Sequence, residues 1–179
     1  MTAQQPKFER DYAPVLSRSL SSAPSEPAEL PRERAMKLAV DLLWEAFGGD
    51  GPGRGISWIG FYGIEADAES MVLLERRDKP ACSPIGMQGM CGRGYLDRRP
   101  ILIDDVRTLG ENYIACDPRD LSEIVVPLFE NDGSCWGVLD GDSYETGAFT
   151  EADVEGMTAL MELLGLSVAG EERPGVMRV

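Results

Sequence analysis

Residues 122–143 read SEIVVPLFENDGSCWGVLDGDS, in which two apolar runs flank a polar turn. The runs predict β-strands over 123–129 and 135–139, and the Asp132-Gly133 pair is typical of a tight hairpin turn. If these two residues form the turn, each step forward along the first strand is matched by one step back along the second. The turn therefore fixes which residues lie opposite each other. The predicted opposed pairs are Glu123 with Asp142, Val125 with Asp140, Pro127 with Val138, and Phe129 with Trp136.

Side chains alternate between the two faces of a strand, so these pairs all share one face. The acids Glu123, Asp140 and Asp142 would then cluster at the open end of the hairpin. The apolar patch predicted beside them comprises Val125, Val138 and Trp136. Three carboxylates this close cannot all ionise easily at neutral pH, so at least one should have a raised pKa and could bind a cation or donate a proton. The spacing also fits an alternative in which Asp140 and Asp142 cap a strand end in solvent.

Helical and strand patterns alternate along the rest of the chain. Apolar residues at three- and four-residue spacing predict a helix from Pro31 to Phe47 and another over about 150–169. Short apolar runs predict strands over 56–64, 70–75 and 101–103, with a polar turn over 65–69 and irregular loops over 76–98 and 104–121. This order predicts a mostly antiparallel sheet with helices packed on it, which is an α+β fold.

A single domain over residues 31–170 accounts for this pattern, since the 179 residues match the usual length of one domain. Residues 1–30 are predicted to form an N-terminal extension, with a short amphipathic helix from Tyr12 to Leu20. The Pro- and Ser-rich stretch Ser21–Pro31 reads as a linker. Residues 171–179 are predicted to form a C-terminal tail.

Charge and composition exclude several function classes. The chain has 17 Lys and Arg against 31 Asp and Glu, a net charge of −14, which disfavours binding to nucleic acid or to an anionic membrane. It has no histidine, which rules out imidazole bases and most zinc and non-haem iron sites. Residues 1–30 lack the apolar core of a secretory signal, so we expect a cytoplasmic protein with reduced thiols.

The four cysteines are Cys82, Cys91, Cys116 and Cys135. None forms a pair at the short spacing typical of a zinc site, so no metal is expected. Cys135 lies in a predicted strand, out of phase with the carboxylate face, and reads as a core filler. The other three lie in the predicted loops, where an acid cluster beside loop thiols suggests thiol redox chemistry, with chance buried cysteines as the alternative.

Six motifs occur in an order that resembles one family. They are WIGFY (58–62), KPAC (79–82), MCG (90–92), IACD (114–117), SEIVVPL (122–128) and GVLDGDS (137–143). The chain resembles the GAF-domain free methionine-(R)-sulfoxide reductases over roughly residues 10–168. The resemblance implies a GAF-like α/β/α sandwich with a mostly antiparallel central sheet.

The resemblance also implies an activity, the reduction of free L-methionine-(R)-sulfoxide to L-methionine. Cys116 is similar to the nucleophile that attacks the sulfoxide sulfur, Cys82 to the resolving thiol, and Cys91 to an auxiliary thiol in disulfide relay. No bound cofactor is implied; a thioredoxin linked to NADPH would be the external reductant. A homodimer is also what the family suggests.

The remaining site residues match by position in the same way. Glu123, Asp140 and Asp142 resemble the family's substrate-binding and proton-donating carboxylates, and Trp58 and Tyr62 resemble aromatics that line the pocket. The loop GMQGMCG (86–92) departs from the family pattern, and its shortened spacing leaves open whether Cys82 or Cys91 resolves. The alternative function is a non-catalytic GAF module that binds a small molecule or senses redox state.

Overall fold

The structure is a computed structural model that describes residues 8–22, 30–64, 69–113, 116–169 and 174–179. Its helices are α1 (Ala13–Ser22), α2 (Arg32–Phe47), α3 (Met90–Asp97) and α4 (Glu151–Leu163). Its strands are β1 (Trp58–Gly63), β2 (Ser70–Arg77), β3 (Ile85–Gly86), β4 (Ile101–Ile103), β5 (Ser122–Phe129), β6 (Cys135–Ser143) and β7 (Met177–Arg178). A 3₁₀ segment covers Val106–Asn112 and is kinked at Gly110.

The strands form one sheet in the order β3-β2-β1-β6-β5-β4-β7. In the described part of the chain, every neighbouring pair is antiparallel except β4 and β7, which run parallel. The two long hairpins, β1–β2 and β5–β6, meet at the centre of the sheet through the β1–β6 pairing. The mostly antiparallel α+β prediction is confirmed.

The sheet has an apolar core on each face, because side chains alternate along each buried strand. One core lies between the sheet and α1, α2 and α4, with Ile59, Phe61 and Ile124 among its sheet residues. The second core lies on the other face, under α3 and the loops around it, and includes Trp58 and Tyr62. Helices therefore cover both faces, and the strand residues that face α3 are those that carry the predicted site.

The central hairpin follows the predicted register over most of its length. Glu123 pairs with Asp142, Val125 with Asp140, and Pro127 with Val138, as predicted. The last predicted pair is wrong, because Phe129 pairs with Cys135 and the register shifts after Leu128. The shift makes Trp136 the extra residue of a β-bulge, which redirects its side chain.

Trp136 consequently lies on the opposite face from the one predicted. It packs against the core under α1, α2 and α4, and its indole Nε1 donates to the Leu166 carbonyl at 2.9 Å. The apolar patch beside the acids therefore lacks this tryptophan. Val125 and Val138 remain there, as predicted.

The prediction of an irregular loop over 76–98 is wrong, since this stretch contains β3 and α3. Two glycines weaken the helical pattern of α3, but both are required by close packing. A Cβ at Gly92 would lie 2.2 Å from the Met87 carbonyl oxygen, and one at Gly94 would lie 2.6 Å from Val125. These glycines bring α3 close to the sheet, directly over the hairpin.

Both ends of the chain have structure that bears on the predictions. The predicted N-terminal helix is present as α1, whereas most of the predicted linker and the 65–68 part of the predicted turn lie outside the described residues. Arg10 and Tyr12 both donate to the buried Asp153 carboxylate, at 3.0 and 2.9 Å, which ties the N-terminal segment to α4. At the other end, β7 adds a parallel edge strand within the predicted tail.

Candidate active site

The acid cluster lies where three central strands run side by side. Asp142 on β6 has Trp58 on β1 and Glu123 on β5 as its direct neighbours across the sheet. Two residues earlier on β6, Asp140 lies opposite Gly60. A Cβ at Gly60 would lie 2.4 Å from the Trp58 ring, so glycine at this position leaves room for the indole on the same face as the acids.

Two of the three acids are buried. Glu123 is 6 % exposed and Asp140 is 7 % exposed, while Asp142 is partly buried beside them. This burial contradicts the alternative in which the acids cap a strand end in solvent. The Oδ1 atom of Asp140 is buried without a hydrogen-bond partner among the described residues. An unpartnered buried oxygen is costly, so this atom is suited to accept a hydrogen bond from a ligand.

Burial also raises the pKa of each carboxyl in the cluster. The pKa of Asp140 rises to about 7, chiefly because burial disfavours the ionised form. Burial likewise raises the pKa of Glu123 and of Asp142 well above the usual range, and the neighbouring carboxylates add to both shifts. The cluster therefore retains at least one proton near neutral pH and can donate it.

A fourth acid, Asp120, belongs to the site and was missed by the sequence reasoning. It is buried just ahead of β5, and its Oδ1 accepts a hydrogen bond from the Ser57 hydroxyl at 2.9 Å. Burial is the largest cause of its raised pKa. No periodic pattern marks Asp120, and its place in the sequence next to the Cys116 motif was the one available signal.

Cys82 and Cys116 form a disulfide, with a Cα–Cα distance of 5.5 Å. Cys116 is exposed and Cys82 is partly buried. The backbone N–H of Cys82 also donates to the Cys116 Sγ atom at 3.3 Å. The structure thus joins the two thiols that the resemblance pairs as nucleophile and resolving partner.

The other two cysteines are free thiols in different surroundings. Cys91 is buried in the first turn of α3, and its pKa is raised well above the usual range by burial first, then by Asp140 and Glu123. It is therefore a protonated thiol in contact with the acid cluster. Cys135 lies half-buried at the start of β6, with Sγ 3.4 Å from the Gly137 carbonyl oxygen.

Two buried aromatic residues of β1 hold the Cys82 segment against the sheet. The Trp58 indole Nε1 donates to the Lys79 carbonyl at 3.0 Å, and the Tyr62 hydroxyl donates to the Cys82 carbonyl at 2.8 Å. Both rings also line the cavity above the acids. These residues therefore shape the cavity wall and position the redox cysteine.

A cavity of about 40 Å³ lies among these groups. Its lining residues include Trp58, Tyr62, Cys91, Tyr113, Cys116, Asp120, Glu123, Asp140 and Asp142. This volume exceeds the space that one water molecule needs and falls far below the 300–1,000 Å³ or so that is usual for small-molecule sites. As it stands in this structure, the cavity is therefore smaller than a small-molecule ligand usually occupies.

The cluster has the chemistry of a cation site. Cys91, Glu123 and Asp140 each offer a ligand atom, and these atoms lie within 4.8 Å of one another. Three such ligands could hold a metal ion, and the same carboxylates could accept hydrogen bonds from an ammonium group. A protonated carboxyl beside an exposed cysteine also suits acid-assisted thiol chemistry.

Comparison with known proteins identifies the family. Residues 29–169 match the GAF domain family. The free methionine-R-sulfoxide reductase of Saccharomyces cerevisiae is 34 % identical over 131 residues, covering 72 % of this chain and 71 % of that protein. The chain belongs to the free methionine-R-sulfoxide reductase family. The Escherichia coli free methionine-R-sulfoxide reductase is 39 % identical over 111 residues, which are 61 % of this chain and 64 % of that protein.

Solved structures of this reductase family share the fold. The structure from Neisseria meningitidis in complex with its substrate has a TM-score of 0.72 at 29 % identity, covering 93 % of this chain and 98 % of that one. The reduced form of fRMsr from Staphylococcus aureus has a TM-score of 0.74 at 29 % identity, covering 92 % and 97 %. The GAF fold predicted from the motifs is confirmed.

In this member of the reductase family, seven of the eight residues predicted for the site line one cavity. The eighth, Cys82, forms the disulfide with Cys116, which is one of the seven. The roles assigned to them remain predictions. Among the described residues, no helix has the length and apolar character needed to cross a membrane.

Proposed function

We propose that this protein reduces free L-methionine-(R)-sulfoxide to L-methionine, with Cys116 as the nucleophile and Cys82 as the resolving thiol. The observation that carries this proposal is the Cys82–Cys116 disulfide at the edge of a cavity lined by buried carboxyls with raised pKa values. A redox pair and an acid at one site are the two components that sulfoxide reduction needs. Family membership supplies the substrate class.

The first step moves oxygen from the substrate to the enzyme. A carboxyl of the cluster protonates the sulfoxide oxygen, which makes the sulfur electrophilic, and the Cys116 thiolate attacks that sulfur. The protonated oxygen then passes to the Cys116 sulfur as the substrate S–O bond and the S–S bond formed by the attack both break, so methionine leaves and Cys116 becomes a sulfenic acid. The substrate sulfur gains two electrons, and the cysteine sulfur loses them.

The second step closes the disulfide. The Cys82 thiol attacks the sulfenic sulfur of Cys116, the S–S bond forms, and the hydroxyl leaves with a proton as water. The Cys82–Cys116 disulfide is the product expected of this step, and its presence supports the proposal. An external dithiol then reduces the disulfide, and we propose a thioredoxin linked to NADPH for this role.

The acids divide between proton donation and substrate binding. Glu123 and Asp142, which lie opposite each other on β5 and β6, are proposed as the proton-donating pair. The unpartnered Oδ1 of Asp140 is proposed to accept a hydrogen bond from the substrate ammonium. No resident cofactor or metal enters either step.

Cys91 has a different proposed role from Cys82. The structure has Cys82 bonded to Cys116, whereas Cys91 is a buried thiol with a raised pKa beside Asp140. A thiol that resists ionisation is a poor attacking group at neutral pH. We therefore assign resolution to Cys82 and assign Cys91 an auxiliary position within the acid cluster. A homodimer in the cytoplasm remains part of the proposal.

A coupled assay tests the function. Thioredoxin, thioredoxin reductase and NADPH are supplied with the free R or S epimer, and NADPH consumption is followed. Turnover of the R epimer alone is expected. A protein whose disulfide opens and closes with peroxide and thioredoxin, but which turns over neither epimer, would instead be a redox-sensing GAF module.

A further inference from the structure

The two segments that carry the redox cysteines are joined a second time, next to the disulfide. Lys79 lies three residues before Cys82, and Asp117 directly follows Cys116. The Lys79 ammonium donates to the Asp117 Oδ2 atom at 2.5 Å and to the Tyr144 hydroxyl at 2.5 Å. The Tyr144 hydroxyl in turn donates to the same Asp117 oxygen at 3.1 Å. These contacts therefore join the same two segments that the disulfide joins, but without a covalent bond.

The Lys79–Asp117 ion pair is partly buried, and both of its partners are charged. The side chains of Lys79 and Asp117 are 26 % and 13 % exposed, and the ammonium lies 4.7 Å from the centre of the Tyr144 ring. Hydrogen bonds from Arg119 first, and then from Lys79, hold the pKa of Asp117 well below its usual range. Burial lowers the pKa of Lys79, but its bonds to Asp117 and Tyr144 outweigh burial and raise it. Both partners therefore stay ionised near neutral pH.

The link is anchored to the sheet at both ends. The Trp58 indole holds the Lys79 carbonyl at 3.0 Å, and Trp58 is buried in β1. Tyr144 directly follows Ser143, the last residue of β6. Since β1 and β6 are paired neighbours, the two anchor points cannot move independently of the sheet that holds the acids.

We propose that Lys79 and Asp117 are positioning residues for disulfide closure: their ion pair holds the Cys82 segment beside Cys116 while no covalent bond joins the two. This inference rests on the proposed function. After sulfoxide reduction, Cys116 is a sulfenic acid and Cys82 is a free thiol, so nothing covalent holds the segments together. The S–S bond then forms as the sulfenic S–O bond breaks, and the hydroxyl departs with the Cys82 proton as water. Holding the thiols together raises their effective concentration for that step.

The experiment uses hydrogen peroxide as the oxidant, so that it does not depend on methionine sulfoxide turnover. The fully reduced protein is pulsed with peroxide, which oxidises Cys116 to the sulfenic acid with release of water. Disulfide formation is timed by peptide mass spectrometry, and the surviving sulfenic acid is trapped with dimedone. In Lys79→Met and in Asp117→Asn, disulfide closure should slow about tenfold, which corresponds to about 1.4 kcal/mol. More dimedone adduct on Cys116 should accompany the slower closure.

Arg119→Met is the matched control. Arg119 also pairs with the Asp117 carboxylate, and its guanidinium lies 4.6 Å from the centre of the Tyr144 ring. It lies two residues further along the Cys116 segment, however, and none of these contacts reaches Lys79 or Cys82. This variant should close the disulfide at close to the wild-type rate. Lys79→Arg, which keeps a cation for Asp117, should restore most of the rate, and the Lys79→Met/Asp117→Asn double variant should be no slower than either single variant.

The proposal is overturned if Lys79→Met and Asp117→Asn close the disulfide at the wild-type rate, or if Arg119→Met slows it equally. Circular dichroism and thermal unfolding of each reduced variant identify a folding defect, in which case Lys79→Arg and the control decide between positioning and general destabilisation. A wild-type protein that forms no methionine from the sulfoxide but still closes its disulfide with peroxide would refute the proposed function, and the rates of the variants would still decide whether the ion pair positions Cys82.

Discussion

The hydroxyl of Tyr62 donates to the backbone carbonyl of Cys82 at 2.8 Å. This bond joins a wall of the cavity to the segment that carries the resolving cysteine, and it crosses from β1 to a segment that has no strand pairing at that point. The ring of Tyr62 is buried, so the bond is protected from water. A single hydroxyl therefore couples the shape of the cavity to the position of the redox pair.

Removing that hydroxyl should slow catalysis while the ring stays in place. In Tyr62→Phe, loss of one buried hydrogen bond of about 1 kcal/mol should lower kcat about fivefold, because the Cys82 segment loses an anchor and leaves a carbonyl unpaired. KM should change less than kcat. Steady-state kinetics in the coupled assay measure both. Tyr95→Phe on α3, outside the cavity lining, is the control, and an equal loss there would contradict the positioning role.

Much of the site follows from the sequence, because hairpin geometry is local. The Asp132-Gly133 turn and strict alternation place Glu123, Asp140 and Asp142 on one face, and the structure confirms this register through Pro127. Beyond that point the register could not be predicted, since a β-bulge changes the side-chain face without altering the hydrophobic pattern.

The features that the sequence did not reveal depend on long-range contacts. The helix α3 is hidden by Gly92 and Gly94, whose small size matters only because Met87 and Val125 lie against them. Asp120 joins the acids because Ser57, just ahead of β1, donates a hydrogen bond to its carboxylate. Contacts between two loops leave no periodic signal in either of them.

The cysteine assignments predict distinct outcomes for two serine variants. Cys116→Ser should abolish turnover, because a hydroxyl at ordinary pKa cannot replace the thiolate. Cys135→Ser should retain nearly all activity, since Cys135 lies at the far end of β6 from the acids. Mass spectrometry after one turnover of wild-type protein should find a Cys82–Cys116 link. A fully active Cys116→Ser protein, or a Cys91–Cys116 link, would contradict the assignment.

The proton-donating pair should appear in both mutant kinetics and the pH profile. Glu123→Gln and Asp142→Asn should each lower kcat/KM about tenfold or more, since general acid catalysis contributes about 10²–10⁴. The rate should fall as pH rises through the raised pKa range of the cluster, because the donor loses its proton. Glu155→Gln, on the exposed face of α4, should have no effect. A flat profile between about pH 6 and 9, with chemistry rate-limiting, would argue against a carboxyl donor.

The raised pKa of Asp140 predicts a stability cost at high pH. The folded protein holds this proton up to a pKa of about 7, whereas the unfolded chain releases it near 3.9. The contribution of this group to the free energy of unfolding is therefore fully present below about pH 4. It is lost as the pH rises from there through about 7, and the total loss is up to about 4 kcal/mol.

Asp140→Asn should accordingly raise the melting temperature at pH 8 and leave it nearly unchanged at pH 4. Thermal unfolding at the two pH values measures the difference. Asp132→Asn is the control, because Asp132 is exposed in the hairpin turn and hydrogen bonds from Ser134 lower its pKa. An Asp140→Asn protein that is no more stable than wild type at pH 8 would mean that the ionised Asp140 carboxylate does not destabilise the folded protein at that pH.

The final prediction is selectivity for the free amino acid over methionine sulfoxide within a peptide. A peptide replaces the substrate ammonium with a neutral amide, and the ammonium is the group proposed to bond the unpartnered Oδ1 of Asp140. A hydrogen bond between charged groups is worth about 1.5–3 kcal/mol, so its loss should lower kcat/KM by roughly 10- to 150-fold. The acids left buried without that partner would increase the loss.

The geometry of the cavity adds to this selectivity. Its wall combines the aromatic rings of Trp58 and Tyr62 with acids from β5 and β6, so methyl, oxygen and ammonium groups meet different surfaces. We therefore expect only the R epimer to direct its oxygen to the acids while its sulfur faces Cys116. Kinetics on both free epimers and on an N-blocked methionine sulfoxide measure the preference. In Asp140→Asn the gap between free and N-blocked substrates should shrink, because the free substrate loses the bond that the blocked one never makes. An unchanged gap in that variant would show that Asp140 does not bind the ammonium.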